Sequence, residues 1–197
     1  MRRIAVVLAF AVLVGSACVQ TVELSSAIKP ARSDAGKSSE AAGVVCTPGL
    51  LAYRERARLY AFELGEPLCG ALVKSVESTY RSAKRAEKPY KGQFGRVIQF
   101  YLHSSSLDVR RQPDGSVRVA YSLGVAVETC GRDLQPSARK LVTGNAVVTR
   151  RDTRTAEVVK EAAEAALQQV ADNTSRLLVA GIDGPRIHDS VPAAPER

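Results

Sequence analysis

The 197-residue chain contains no tryptophan, one methionine and two histidines, and aromatic residues make up only 5% of it. Because 45% of the residues are nevertheless hydrophobic, the core must be built mainly from Val, Leu, Ala and Ile. This composition is typical of a small sheet covered by alanine-rich helices. Without a targeting segment and flexible ends, the folded part has about 140 residues, which is the size of a single domain.

The sequence also lacks the motifs of common nucleotide-binding and metal-dependent enzymes. It has no P-loop and no G-x-G-x-x-G segment, and neither His103 nor His188 belongs to a metal pattern such as H-E-x-x-H. The segment HSSSLD at 103–108 has no elbow glycines, so a polar strand edge explains it better than a hydrolase site. We therefore predict no catalytic residue, no metal site and no cofactor, and we expect a protein that is not an enzyme.

The first 17 residues, MRRIAVVLAFAVLVGSA, have the three parts of a secretory signal peptide. Arg2 and Arg3 precede an apolar run from Ile4 to Val14, and small residues follow this run. About eleven apolar residues are too few to cross a bilayer core of about 30 Å. Residues 1–17 are therefore predicted to be a signal peptide and not a transmembrane helix.

The next residue, Cys18, ends the sequence GSAC, which resembles the bacterial lipobox. A lipoprotein signal peptidase cleaves such a motif before a cysteine that carries a diacylglyceryl group, so the resemblance implies a lipid anchor at Cys18. Gly15 departs from the pattern, which usually has Leu, Val or Ile there, and cleavage by ordinary signal peptidase would leave Cys18 as a thiol. Val19 is not the aspartate that retains lipoproteins in the inner membrane, so the resemblance implies anchoring in the outer membrane, facing the periplasm.

Composition divides the rest of the chain into three parts. Residues 18–42 begin with the lipidated cysteine and are rich in Ser, Ala and balanced charges, which predicts a flexible tether. Residues 43–181 carry the periodic hydrophobic pattern of one α+β domain. Residues 182–197 have three prolines and no periodicity, which is typical of a disordered tail.

Alternating hydrophobic residues predict four strands, at 58–64, 95–111, 116–129 and 140–150. The second and third strands are separated by QPDG, whose turn residues predict a long hairpin. Helical spacing of apolar residues predicts one helix over 67–88, stopped by Pro89, and a second helix within 152–181. This order predicts an α+β fold with an antiparallel-rich sheet of about four strands and two helices packed on one face.

The order of elements and the segment RARLYAFELGEPLCGALVKSV resemble small outer-membrane lipoproteins of the LptE and YajG type. The resemblance covers about residues 44–180 and includes no catalytic motif, so it bears on the fold more than on the role. It implies a non-enzymatic accessory that binds or assembles a larger envelope machine exporting lipopolysaccharide, polysaccharide or another surface component. The expected partners are the membrane, through the lipid anchor, and an envelope protein. The alternative is a carrier of lipid or another small ligand, held between the helices and the sheet.

Beyond Cys18 the chain has three cysteines, Cys46, Cys69 and Cys130. In an oxidising compartment this odd number predicts one disulfide and one free thiol, with three pairings open. We favour Cys46–Cys69, because it closes a loop of about 22 residues and would contribute about 3 kcal/mol. In the alternative, Cys69 is a free buried thiol that packs as a small hydrophobic side chain.

The chain has a net charge of +8, and without Arg2 and Arg3 it keeps 26 basic residues against 20 acidic ones. Six basic residues fall at the end of the first predicted helix and in the loop after it: Arg81, Lys84, Arg85, Lys88, Lys91 and Arg96. They could bind an anion such as a lipid headgroup, a phosphate of lipopolysaccharide or an acidic polysaccharide, and a solubilising surface is the simpler interpretation. Nucleic acid is not an expected partner, because the chain is exported and its basic residues are not interleaved with aromatic ones.

Overall fold

The computed structural model describes residues 19–25, 28, 30, 37–57 and 59–181. The predicted signal peptide, Cys18 and the predicted tail at 182–197 lie outside the described residues. The elements follow in this order: β1 (Gln20–Thr21), β2 (Ser38–Cys46), α1 (Pro48–Leu51), β3 (Arg54–Ala57), β4 (Tyr60–Glu63), α2 (Gly65–Thr79), β5 (Tyr80–Arg85), β6 (Arg96–Arg111), β7 (Val117–Cys130), β8 (Pro136–Arg150) and α3 (Thr155–Ala180).

Five strands form the main sheet, in the order β5-β2-β6-β7-β8. Strand β2 runs parallel to β5 and β6, whereas β6, β7 and β8 are antiparallel neighbours. Helix α2 contacts β2 and β5, helix α3 contacts β7 and β8, and the two helices contact each other. Both long helices therefore lie on one face of the sheet, and the predicted α+β class is confirmed.

The main sheet is larger than the predicted four strands, because β2 and β5 were not recognised in the sequence. Strand β2 lies between two other strands. Its consecutive residues Val44 and Val45 face opposite sides of the sheet, and both are buried. A strand that is buried on both faces has no alternation to reveal it. The strand predicted at 58–64 exists as β4, but it belongs to a second, three-stranded sheet in the order β1-β4-β3.

The prediction of one helix over 67–88 is wrong beyond Thr79, where α2 ends and the chain turns into β5. Tyr80 has extended backbone, with φ of −106° and ψ of 147°. Before it, the hydroxyls of Ser78 and Thr79 both donate to the carbonyl oxygen of Ser75. Such hydrogen bonds weaken a helix, and the following residues pair with β2 instead.

The structure differs from the predicted tether, because parts of residues 18–42 lie on the domain. Strand β1 pairs in parallel with β4, and the Gln20 N–H donates to the Leu59 carbonyl oxygen at 2.7 Å. Val22 and Ile28 are buried in the hydrophobic core. A polar composition favours disorder when few apolar side chains can be buried, and these two side chains find a place in the core.

Polar contacts also hold this segment on both long helices. The Ser25 N–H donates to Glu164 Oε1 of α3 at 2.7 Å, and Lys74 Nζ of α2 donates to the Ile28 carbonyl oxygen at 3.3 Å. We call residues 19–25 and 28 the N-terminal strap. The strap places Val19, the first residue after Cys18, against the small sheet.

A disulfide joins Cys46 at the end of β2 to Cys69 near the start of α2, the pair favoured from the sequence, with the two Cα atoms 6.0 Å apart. The two cysteines are 23 residues apart in the sequence, and a loop of this length corresponds to about 3 kcal/mol of stabilisation. The loop contains β3 and β4, so the bond joins the two ends of the segment that forms this hairpin. Cys130 is free and buried.

Helix α3 lies directly against the sheet at Gly144 of β8. A Cβ atom on Gly144 would lie 2.2 Å from the carbonyl oxygen of Ala166 and 2.9 Å from a methyl carbon of Val170. Ala166 and Val170 are both buried, as the helical pattern predicts. The absence of a side chain at Gly144 therefore sets the distance between helix and sheet.

This contact predicts that Gly144→Ala lowers the free energy of unfolding by about 1–3 kcal/mol, because the added methyl group overlaps the backbone of α3. Urea unfolding followed by circular dichroism measures the change. Gly70→Ala is the matched control, since a Cβ at this helical position meets nothing within 4 Å, and it should stabilise by about 0.5–1 kcal/mol. An unchanged urea midpoint for Gly144→Ala would contradict the close contact.

Candidate functional site

The six predicted anion-binding residues lie on β5, in the loop after it and at the start of β6. Four are exposed and have no ion pair among the described residues: Arg81, Lys84, Lys88 and Lys91. The other two pair with carboxylates. Arg85 makes two hydrogen bonds to Glu66, at 2.9 and 3.0 Å, which lower the pKa of Glu66, and Arg96 Nε lies 3.9 Å from Glu40 Oε2.

Strand geometry divides this group between the two faces of the sheet. Arg85 reaches Glu66 on α2 and therefore lies on the helix side. Lys84 is the preceding residue of the same strand, so its side chain leaves on the opposite side. The basic residues thus surround the β5 edge and do not converge on one point, and anion binding there stays a prediction.

A buried polar cluster, which the sequence analysis did not find, joins the small sheet to the main sheet. Glu55 of β3 is only 7% exposed. Its Oε2 atom accepts hydrogen bonds from Tyr53 OH at 3.2 Å, from Tyr121 OH at 3.4 Å and from Ser105 Oγ. The hydroxyls of Ser105 and Tyr121 are 2.9 Å apart. Three hydroxyl groups therefore surround one carboxylate.

The electrostatics of this cluster keep its hydroxyl groups protonated. Burial raises the pKa of Tyr121 well above its ordinary value, and the nearby Glu55 carboxylate raises it further. Burial, followed by the charge of Glu55, also raises the pKa of Tyr53. Protonated hydroxyls donate to the carboxylate, which a buried charge requires. The arrangement suits a structural connection between the sheets, and the Phe62 ring packs edge-on to Tyr121 at 5.8 Å beside it.

Two open clefts border the small sheet, and Tyr60 lines both of them. The first, of about 300 Å³, is also lined by Leu59, Leu107, Val109, Arg111 and Thr155. The second, of about 310 Å³, is lined by Val19, Thr21, Arg54, Arg56 and Glu63. Tyr60 thus links a cleft at the start of the strap to a cleft at the far end of β6.

The clefts carry exposed apolar side chains and basic side chains without an ion pair. Val19 is 55% exposed and Leu59 is 48% exposed. Arg56 and Arg111 are exposed and have no ion pair within the described part of the chain. The carboxylates that line the clefts each pair with another arginine: Glu63 with Arg54 at 2.6 Å and Asp108 with Arg110 at 2.7 Å. We call Val19, Leu59, Tyr60, Arg56 and Arg111 the strap-end surface.

Histidine, cysteine and carboxylate side chains also occur elsewhere in the described residues. Among these residues, no three His, Cys, Asp or Glu side chains are placed to share a metal ion. Burial raises the pKa of Cys130, and the charges of Glu128 and Asp133 raise it further, so the thiol stays protonated.

None of the described helices combines the length and the apolar character that a membrane crossing needs.

No protein-family model matches the chain, and no curated protein matches it. A DUF330 protein from Xanthomonas campestris has the same fold, with a TM-score of 0.57 and 13% identity over 81% of this chain and 94% of that chain. Uncharacterized lipoprotein B from Nitrosomonas europaea gives a TM-score of 0.41 at 15% identity, over 74% and 88% of the two chains. PelC from Paraburkholderia phytofirmans, a dodecamer, gives 0.34 at 11% identity, over 72% and 94%. The first similarity shows a shared fold, and identities this low do not show a shared role.

The buried cluster predicts that Ser105→Ala lowers the free energy of unfolding by about 1–2 kcal/mol, because a hydrogen-bond donor to the buried Glu55 is lost. Ser106→Ala is the matched control, since Ser106 is exposed on the other face of the same strand, and its effect should stay within about 0.5 kcal/mol. Urea midpoints measure both variants. If the two midpoints equal that of the unchanged protein, the cluster does not hold the sheets together.

Proposed function

We propose that this chain is a lipoprotein anchored by lipid in the outer membrane, where it faces the periplasm. It acts without catalysis, as a binding or assembly accessory of an envelope machine that exports a surface component. The observation that carries this proposal is the sequence GSAC, whose Cys18 stands directly before the first strand of a folded α+β domain. The resemblance to lipoproteins of the LptE and YajG type supports the same role.

The β5 edge of the main sheet is the contact surface that we propose for a protein partner. An edge strand exposes backbone groups to which another chain can add a strand. At the other edge, α3 already occupies part of β8: Gln169 accepts from the Asn145 N–H and Asn173 donates to the Thr143 carbonyl oxygen, both at 2.9 Å. The exposed basic residues around β5 favour an acidic partner.

A carrier with its ligand between the helices and the sheet is less well supported by the packing. At Gly144, α3 approaches β8 so closely that a single added carbon atom would overlap it. The buried side chains of both helices form one continuous core with those of the main sheet. A ligand in this interface would have to separate elements that are in direct contact.

The proposed anchor predicts that Cys18→Ser abolishes labelling with radioactive palmitate and moves the protein from the membrane fraction to the soluble fraction. Without Cys18 there is no site for acylation, and acyl chains contribute about 0.8 kcal/mol of membrane-binding free energy per buried methylene group. Cys130→Ala is the control, because Cys130 is buried in the domain, and this variant should keep both the label and the membrane fraction. Retention of label and membrane association by Cys18→Ser would refute the anchor.

The proposed accessory role predicts a specific envelope protein at the β5 edge. A photo-crosslinking amino acid at Lys84 of β5 should yield one defined adduct in intact cells, identified by mass spectrometry. The same amino acid at Val147, which is exposed on β8, is the control and should not yield that adduct. Absence of any adduct at Lys84 in a strain where the variant is functional would count against this contact.

A further inference from the structure

We propose that the strap-end surface rests on an anionic phospholipid membrane, so that the domain is held on the membrane in one orientation. This inference rests on the proposed acylation of Cys18. It adds a second contact, made by the folded domain itself, to the covalent anchor. The partner is the lipid surface, and the residues that meet it are Val19, Leu59, Tyr60, Arg56 and Arg111.

The chain between the proposed anchor and the folded domain is short. Consecutive Cα atoms are about 3.8 Å apart, so an acylated Cys18 lies one residue from Val19. Val19 is followed at once by β1, and the Gln20 N–H donates to the Leu59 carbonyl oxygen at 2.7 Å. The Val22 N–H, just after β1, donates to the Ala61 carbonyl oxygen of β4 at 2.8 Å. A free tether of 24 residues would have a reach of roughly 25–30 Å. The observed strap removes that reach.

The strap also resists being pulled away from the domain. Val22 and Ile28 are buried in the core, and the backbone at Ser25 and Ile28 is hydrogen-bonded to α3 and α2. Releasing the strap would expose both apolar side chains and break contacts with both helices. The corner of the domain next to Cys18 therefore stays next to the lipid.

The side chains at that corner have the chemistry of a membrane-binding surface. Val19 and Leu59 present apolar side chains to the solvent, and Tyr60 lines the cleft of each. Arg56 and Arg111 have no carboxylate partner within the described part of the chain, whereas Glu63 and Asp108, which also line the clefts, pair with Arg54 and Arg110. Apolar side chains flanked by cationic groups match the acyl boundary and the anionic headgroups of a bilayer.

The chain contains no tryptophan, so one substitution creates a single tryptophan whose fluorescence can be excited selectively over that of the tyrosines. Leu59→Trp is placed in the acylated mature chain and reconstituted into vesicles of phosphatidylethanolamine and phosphatidylglycerol with brominated acyl chains. Tyr90→Trp is the control. Tyr90 is 66% exposed in the loop before β6, and the start of that strand at Arg96 lies roughly 35 Å along the strand from Leu107.

We expect bromine to quench Leu59→Trp at least about twofold more strongly than Tyr90→Trp, with emission shifted to the blue, since interfacial groups enter about 5–10 Å into the lipid. Val19→Trp is a second reporter on the same surface, in case one variant fails to fold by circular dichroism. Arg56→Glu combined with Arg111→Glu should reduce the quenching of Leu59→Trp. Arg81→Glu combined with Lys84→Glu should not.

Flotation of the vesicles separates failure of this inference from failure of the anchor. If the protein floats and the reporters at 59 and 90 are quenched equally, the anchor stands and the defined orientation is refuted. If vesicles of phosphatidylcholine alone give the same quenching at 59, the selectivity for anionic lipid is refuted. If the acylated chain does not float, the proposed anchor fails and this inference fails with it.

Discussion

The buried hydrogen bonds of Glu55 are the interaction on which the arrangement of the two sheets depends. Strands β3 and β4 have only four residues each, and a hairpin of this size is marginal in water by itself. It is held on the main sheet by the hydroxyls around Glu55, by the contact of Phe62 with Tyr121, and by the loop closed through Cys46. The strap in turn pairs with this hairpin, so the position of the N-terminus depends on the same buried carboxylate.

The elements predicted correctly are those whose own residues show the hydrophobic period or the turn residues of the structure they form. Strand β7 alternates along its sequence, turn residues separate it from β6, and α3 carries a buried stripe at helical spacing. Strand β2 is buried on both faces, and β5 is a basic edge strand that follows a helix without a break. These segments become strands because they pair with each other, and no local sequence pattern indicates that pairing.

The same limit applies to the site residues. Glu55 stands between Arg54 and Arg56, where a carboxylate has the pattern of an ordinary solvated charge. Its partners Ser105 and Tyr121 lie 50 and 66 residues away in the sequence. The strap-end surface likewise gathers Val19, Leu59 and Arg111 from three separate segments. The six basic residues could be recognised in the sequence because they lie close together along the chain. In the structure their side chains surround the β5 edge of the main sheet.

The length of β6 has a mechanical consequence once one of its ends is placed at the lipid. The strand spans Arg96–Arg111 and would extend over roughly 50 Å at about 3.3 Å per residue. It pairs with β7 along its length, apart from a register shift between Leu102 and Ser104. The β5 edge lies beside the opposite end of β6, so the length of this strand would set the height above the bilayer at which a partner is met.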